Sequence, residues 1–376
     1  MWYNLPCENF WEKNMEITFD RIVIIIMAAF AVVGGLDRIF GNRLKLGQSF
    51  ENGIRTMGEL ALSMVGIIVL APVIAKVLGP VVVPVYRFLG ADPAMFAGTI
   101  LACDMGGAPL GMELTNDLDA ARLGGMITGS MLGGTVSFTI PVAMSVLPVG
   151  DRKLAAKGIL CGVVTVPLGV FLGGIVAGMP VLKVFLNLIP ILIVSLLIAL
   201  GLWKAERFII SAFEIFGKFI TAVATVGLLA GGIELTTGFT VIPGLGSMEE
   251  AFCVVGEIAI VLAGAFPLVS IITRLLDKPL GKAGAKFGMN SVSVSGIIAT
   301  LPNSLATFDL VPKMDDRGKV VNMAFAVSAA FVFGDHLAFS AGYDPEMILP
   351  LIVGKLFAGI TAVCLALLIT KEKKHV

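Results

Sequence analysis

MGELALSMVGIIVLAPVIAKVLG (residues 57–79) runs for 23 residues with Glu59 and Lys76 as its only charges. As a helix it would extend about 35 Å, enough to cross the roughly 30 Å hydrocarbon core of a bilayer. Comparable runs recur at 18–36, 93–108, 119–146, 154–178, 184–202, 208–233, 251–275, 291–308, 318–340 and 347–370. Hydrophobic residues fill 57% of the 376 positions and charged ones 14%. Too little charge is left to build a water-facing shell around that much apolar surface. Lipid is therefore part of the solvent, and in lipid the backbone must satisfy its own N–H and C=O groups, as helices or as a closed barrel. Barrel strands would be shorter and would alternate. The fold class expected is an all-α integral membrane protein, a multi-span helical bundle of about nine to eleven hydrophobic segments.

Basic and acidic residues balance at 27 each, so nothing points to nucleic acid. The five cysteines, Cys7, Cys103, Cys161, Cys253 and Cys364, lack CxxC spacing and read as small apolar side chains. The first apolar run has no Ala-x-Ala cleavage pattern and reads as a retained span. Residues 1–14 read as an N-terminal extension, with Met15 as an alternative start. No GxSxG, HExxH, Walker loop or strand-linked GxGxxG occurs, so the chain is not expected to be an enzyme or an ATP-driven pump by itself.

The opening stretch also reveals a repeat. GELALSMVG (58–66) lines up with GEIAIVLAG (256–264) at a spacing of 198, and the spacing continues through Gly90 with Gly288, Asp92 with Asn290 and Gly98 with Gly296. Upstream, GGLDRIFG (34–41) meets GGIELTTG (231–238). The division expected is one membrane repeat over 15–180, a connecting helix over 181–207, a second repeat over 208–370 and a basic tail at 371–376. Lys and Arg collect on the cytoplasmic side. All six basic stretches fall on one side if 93–108 and 291–308 enter and return on the side they came from. That arrangement gives nine crossings, an external N-terminus, an internal C-terminus and inverted repeats.

Inverted repeats with a broken helix in each half suit secondary transporters, which bind their solutes at the broken elements near the midplane. The two candidates are AGTILACDMGGAPLG (97–111) and SGIIATLPNSLATFD (295–309). Gly106, Gly107 and Pro109 break the first, and Pro302 breaks the second. Asp104 stands at the first break, and Asn303 and Ser304 at the second. A carboxylate at such depth needs a cation or a proton, which makes Asp104 the leading site residue, with helix capping as its plainer role. Glu59 and Glu257 are repeat mates, readable as cavity groups or as N-terminal carboxylates favoured by the helix dipole. FGDHLAFSAG (333–342) places Asp335 beside His336, a pair suited to proton relay or to structural hydrogen bonding at a span's end. MDDRGKVVN (314–322) reads as a solvated loop entering a helix.

Longer strings carry a resemblance. LAPVIAKVLGPVVVPVYRFLGADPAMFAGTILACDMGG (70–107), IPVAMSVLP (140–148), MDDRGKVVNMAFAVSAAFVFGDHLAFSA (314–341) and the basic tail closely resemble the ethanolamine permease family of bacterial ethanolamine-utilisation operons (EutH-type). The resemblance implies a multi-pass permease of the bacterial cytoplasmic (inner) membrane that takes up ethanolamine as a carbon and nitrogen source. It carries over no ligand residues. The partners expected are ethanolamine and membrane lipid, with a homo-oligomer open; no cofactor is expected, a coupling proton or sodium ion being open. Ethanolamine is mostly a cation at neutral pH, so Asp104 would hold its ammonium and Asn303 or Ser304 its hydroxyl, with Phe96 as a candidate cation–π wall. The alternatives are a channel-like facilitator for the neutral amine and a carrier of another small polar cation.

Overall fold

The computed structural model describes residues 18–286 and 288–370; the extension at 1–14 and the tail at 371–376 lie outside them. All regular structure among the described residues is helical. The first half comprises α1 (Phe19–Ile39), the 42-residue α2 (Gly47–Phe88), the short α3 (Ala94–Ile100) and α4 (Ala108–Leu114), then α5 (Leu118–Val146), α6 (Val149–Val176) and α7 (Val181–Lys204). The second half comprises α8 (Glu206–Thr237), α9 (Met248–Lys286), the short α10 (Ser291–Thr300) and α11 (Ser304–Leu310), then α12 (Asp316–Ala329), α13 (Asp335–Tyr343) and α14 (Ile348–Ile369). Among the described residues, eight helices are long and apolar enough to cross a bilayer: α1, α2, α5 to α9 and α14. The protein is a multi-pass helical membrane protein.

The apolar segments 93–108 and 291–308 do not form single helices. Helices α3 and α4 have seven residues each, α10 has ten and α11 seven. At about 1.5 Å per residue none can span a bilayer. Each short pair packs on itself as a helical hairpin.

One expected crossing is not a single continuous helix. The run 318–340 is two helices, because α12 stops at Ala329 and α13 starts at Asp335. Between them Phe331 takes φ +63°, a left-handed conformation rarely adopted by a bulky residue. The turn of the second hairpin holds this break open. The Phe331 N–H donates to the Thr300 carbonyl at 3.3 Å and the Phe333 N–H to that of Leu301 at 3.0 Å, so backbone groups that leave the helix still find partners. The sequence MDDRGKVVN is also more than a solvated loop. Asp315 caps α12, accepting from the Gly318 N–H at 2.9 Å, and Lys319 is buried with its Nζ 2.7 Å from Asp151 Oδ1.

Several contacts recur 198 positions apart. Asp92 accepts from the Ala94 N–H at 2.8 Å to start α3, and Asn290 accepts from the Ser293 N–H at 2.8 Å to start α10. Asp117 caps α5 as Asp315 caps α12. A Cβ on Gly98 would strike the Gly124 carbonyl, and a Cβ on Gly296 would strike the Asn322 side chain.

Two pairs of long helices, α6 with α14 and α2 with α9, pack antiparallel. On α6 and α14, Gly169 lies against Gly354, Gly173 against Pro350, and the Thr165 hydroxyl donates to the Ala358 carbonyl at 3.1 Å. On α2 and α9, Gly53 lies against Leu262 and Ala263, and Ser49 meets Ser270 at 3.3 Å. Within its most apolar stretch α5 is 83% buried, against 11% for α8. Helix α5 is therefore the centre of the bundle and α8 its periphery.

Candidate functional site

The first hairpin turns where α3 ends at Ile100. Leu101 and Ala102 are extended, and Gly106 takes φ +94°. A side chain at Gly106 would be strained by that φ and would collide with Ile67 of α2. This turn carries Cys103 and Asp104 into the interior, where both are buried.

Across from it, the break between α12 and α13 delivers His336 in the first turn of α13, also buried. His336 Nε2 lies 3.5 Å from Asp104 Oδ1. That is ion-pair range without hydrogen-bond geometry, and Oδ1 has no hydrogen-bond partner among the described residues. On the other side of the imidazole, Nδ1 lies 3.0 Å from Nζ of Lys355. Lys355 is fully buried in α14, and its Nζ also donates to the Ser130 carbonyl of α5. An ammonium has only donors, so a charged Lys355 leaves Nδ1 as acceptor and puts the imidazole proton on Nε2, facing Asp104. The ring of Phe331 lies 5.3 Å from that of His336, and Phe138 meets Phe331 edge-on at 5.4 Å.

The expected site residues scatter around this core. Asp335 adjoins His336, and the charges of Asp104 and Glu59 reach it. Glu59 lies on an exposed face of α2, and Glu257 lies on α9 beside Gly342, near the far end of α13. On the second hairpin, Asn303 caps α11, accepting from the Leu305 N–H at 2.8 Å. The Ser304 hydroxyl is buried with no partner among the described residues. This hairpin meets the same break, because Gly334 packs against the Pro302 carbonyl. Phe96 instead packs edge-on to Tyr86, ring centroids 6.1 Å apart. His336 does not end a span, as its sequence suggested; it opens the second half of a broken one.

Lys355, Ser130, Phe138 and Phe331 were not anticipated. Lys355 had a signal, since it is the only charged residue in Ile348–Ile369, and an intramembrane lysine marks a functional site by default. Ser130 acts through its carbonyl, and the two phenylalanines come together only in the fold.

Cys103, Asp104 and His336 offer sulfur, oxygen and nitrogen atoms within 4.8 Å of one another. A metal-bound imidazole normally donates its other nitrogen to a carboxylate or carbonyl. Here that nitrogen faces Lys355, a group of the wrong charge beside a metal cation.

A family model described as "Ethanolamine utilisation protein, EutH" matches residues 19–369. Three curated proteins named "Probable ethanolamine permease EutH" are similar along nearly their whole length. That of Listeria monocytogenes serotype 1/2a (strain 10403S) is 52% identical over 351 residues, covering 93% of this chain and 94% of its own. That of Escherichia coli (strain K12) is 43% identical over 392 residues, covering 94% and 96%. That of Salmonella typhimurium (strain LT2) is 43% identical over 391 residues, with the same coverage. No solved structure matches.

Proposed function

The chain belongs to the EutH family of ethanolamine utilisation proteins, and from that premise we propose that it is a permease carrying ethanolamine across a membrane, with Asp104 as the seat of the substrate's ammonium group. The observation that carries the site is the Asp104 carboxylate, buried at the turn of a broken hairpin with one oxygen unbonded. A buried carboxylate is costly unless a cation meets it. A primary ammonium would bring three donors to it, and the faces of Phe331 and Phe138 would add cation–π attraction. Ser304, whose buried hydroxyl lacks a partner, is the residue for the substrate's hydroxyl. Asn303 serves it indirectly, by capping the helix that Ser304 begins.

The same reading places the protein in the bacterial cytoplasmic membrane with the N-terminus outside and the C-terminus inside. The hairpins α3–α4 and α10–α11 enter and return, and the two halves are an inverted duplication. Contacts recurring 198 positions apart support the duplication, and the antiparallel packing of the proposed mates α2 with α9 and α6 with α14 supports the inversion. The chain moves its solute unaltered and is not an enzyme.

The test is uptake of labelled ethanolamine into proteoliposomes of the purified protein, compared with protein-free vesicles. Saturable uptake, competed by unlabelled ethanolamine and not by ethylene glycol, which lacks the amine, is the outcome expected. Uptake no faster than in protein-free vesicles would remove the reading.

A further inference from the structure

Lysine 355 is the one buried cation of the site, and charge balance gives it a task. It is fully buried in the N-terminal half of α14, tied to the Ser130 carbonyl and to His336 Nδ1. Through the imidazole it faces Asp104. Isolated charge is expensive at that depth, and a buried carboxylate is tolerable when one positive charge balances it. The Lys355–His336 pair therefore holds one excess proton opposite the Asp104 carboxylate. The proton resides on Nζ with Nδ1 accepting, or on the imidazole with a neutral amine accepting from Nδ1. Both states sum to zero with Asp104.

An ammonium substrate arriving at Asp104 adds one positive charge to this neutral cluster. We infer that Lys355 and His336 release their shared proton when the ammonium binds, so that each turnover moves a cation one way and a proton the other, and the net species crossing is the uncharged amino alcohol. This rests on the permease reading above and specifies its charge balance. The step forms and breaks no heavy-atom bond. The N–H bond of the lysine or imidazole breaks, its electron pair stays on nitrogen, and the proton leaves by way of water to the side from which the substrate entered; when the ammonium departs on the far side, the pair takes up a proton there.

The other ionisable groups around the cluster are Cys103 on the first hairpin, Glu59 on α2 and Asp335 on α13. If Asp335 or Glu59 supplied an unbalanced negative charge, the ammonium would be accepted with no proton released, and flux would carry charge. The two cases differ in what drives them.

The experiment uses proteoliposomes of the whole chain loaded with labelled ethanolamine, corrected for protein-free vesicles. In one arm a potassium gradient with valinomycin sets about 100 mV, inside negative; in the other an inside-acid gradient of one pH unit is imposed without a potential. Electroneutral exchange predicts about tenfold accumulation from the pH gradient and less than about twofold from the potential. Cation movement alone predicts about 50-fold accumulation from 100 mV, since one charge then crosses the whole potential. That result overturns the inference and leaves the permease reading standing. Absence of protein-dependent flux in both arms instead removes the permease reading. Lys355→Met gives a second measure. With the built-in cation gone, uptake should become potential-sensitive, a change that a purely structural lysine would not produce. A pathway for the neutral amine would give the same wild-type ratios, so the variant separates the two: potential-insensitive uptake by inserted Lys355→Met overturns the inference, and Lys355→Gln repeats the measurement should the methionine variant fail to insert.

Discussion

The two hairpins, Ala94–Leu114 and Ser291–Leu310, share their framing and differ in their chemistry. Both begin at a capping side chain, Asp92 or Asn290. Both carry a glycine pressed against the following helix, Gly98 or Gly296. Their turns diverge. The first presents Cys103 and Asp104 to a buried lysine and histidine. The second presents Pro302, Asn303 and Ser304, uses Asn303 as a helix cap and braces the α12–α13 break. Two hairpins framed alike can thus share caps and close contacts while charge is concentrated in one of them. In the proposed permease the first hairpin faces the substrate's charge, and the second shapes the segment that delivers His336.

The sharpest way to break this comparison is to remove one polar group from each turn. Asp104→Asn keeps the shape and removes the counter-charge, leaving Lys355 without its balance. Uptake, as kcat/KM, should fall about 100-fold, the scale for truncating one partner of a buried charge pair. Asn303→Ala removes only a cap worth about 1 kcal/mol of stability, and uptake should stay within about threefold. Equal losses in labelled-ethanolamine transport, corrected for inserted protein, would mean that the two turns share the ammonium and would end the division of labour.

A smaller effect compares the two acidic caps. Burial alone would push the Asp315 carboxyl up, but hydrogen bonds from the Asn290 N–H, the Ser293 hydroxyl and the Gly318 N–H outweigh it and hold it below the usual range. A carboxyl lowered on folding stabilises the protein above its unfolded value of about 4, and that contribution fades as pH falls through the folded value. Asp315→Asn should cost about 1–2 kcal/mol at pH 7, and its melting temperature in detergent should converge on the wild type's as pH drops towards 3. Asp117 is its counterpart in the first half. Burial there is likewise opposed, chiefly by Lys183, and the carboxyl is again lowered. Its side chain is 43% exposed, so solvent screens the pair and Asp117→Asn should shift the melting curve less. A larger shift for Asp117 would show that the more exposed cap bears more load than the half-buried one.

These differences explain what was legible in the sequence. The recurring spacing was readable because caps and close-contact glycines are single-residue requirements, as at Asp92 with Asn290 and Gly98 with Gly296. Asp104 was readable because a carboxylate amid apolar residues needs a reason. Lys355 had the same signal, and only the fold connects it to Asp104. The break at 330–334 was not readable. FVFG contains no proline, and Phe331 adopts its left-handed φ because the Thr300 and Leu301 carbonyls, far earlier in the chain, accept hydrogen bonds from the Phe331 and Phe333 N–H groups. A break held by tertiary partners leaves no local mark beyond Gly334.

The aromatic residues give the smallest and most discriminating comparison. Phe96 on the first hairpin was the aromatic that sequence pointed to, yet it packs edge-on to Tyr86. Phe331 lies against His336 and against Phe138. Leucine preserves apolar bulk at either position and removes only the ring face. A cation–π contact contributes about 0.5–1 kcal/mol where partly solvated, so Phe331→Leu should raise KM for ethanolamine about threefold with little change in kcat. Phe96→Leu should leave KM unchanged and lower stability slightly through lost packing. The reverse pattern would relocate the ammonium towards the α3 side of the first hairpin, away from Lys355. The proton exchange argued from Lys355 would then lose its geometric basis, because an ammonium held elsewhere would not add its charge to the Asp104–His336–Lys355 cluster.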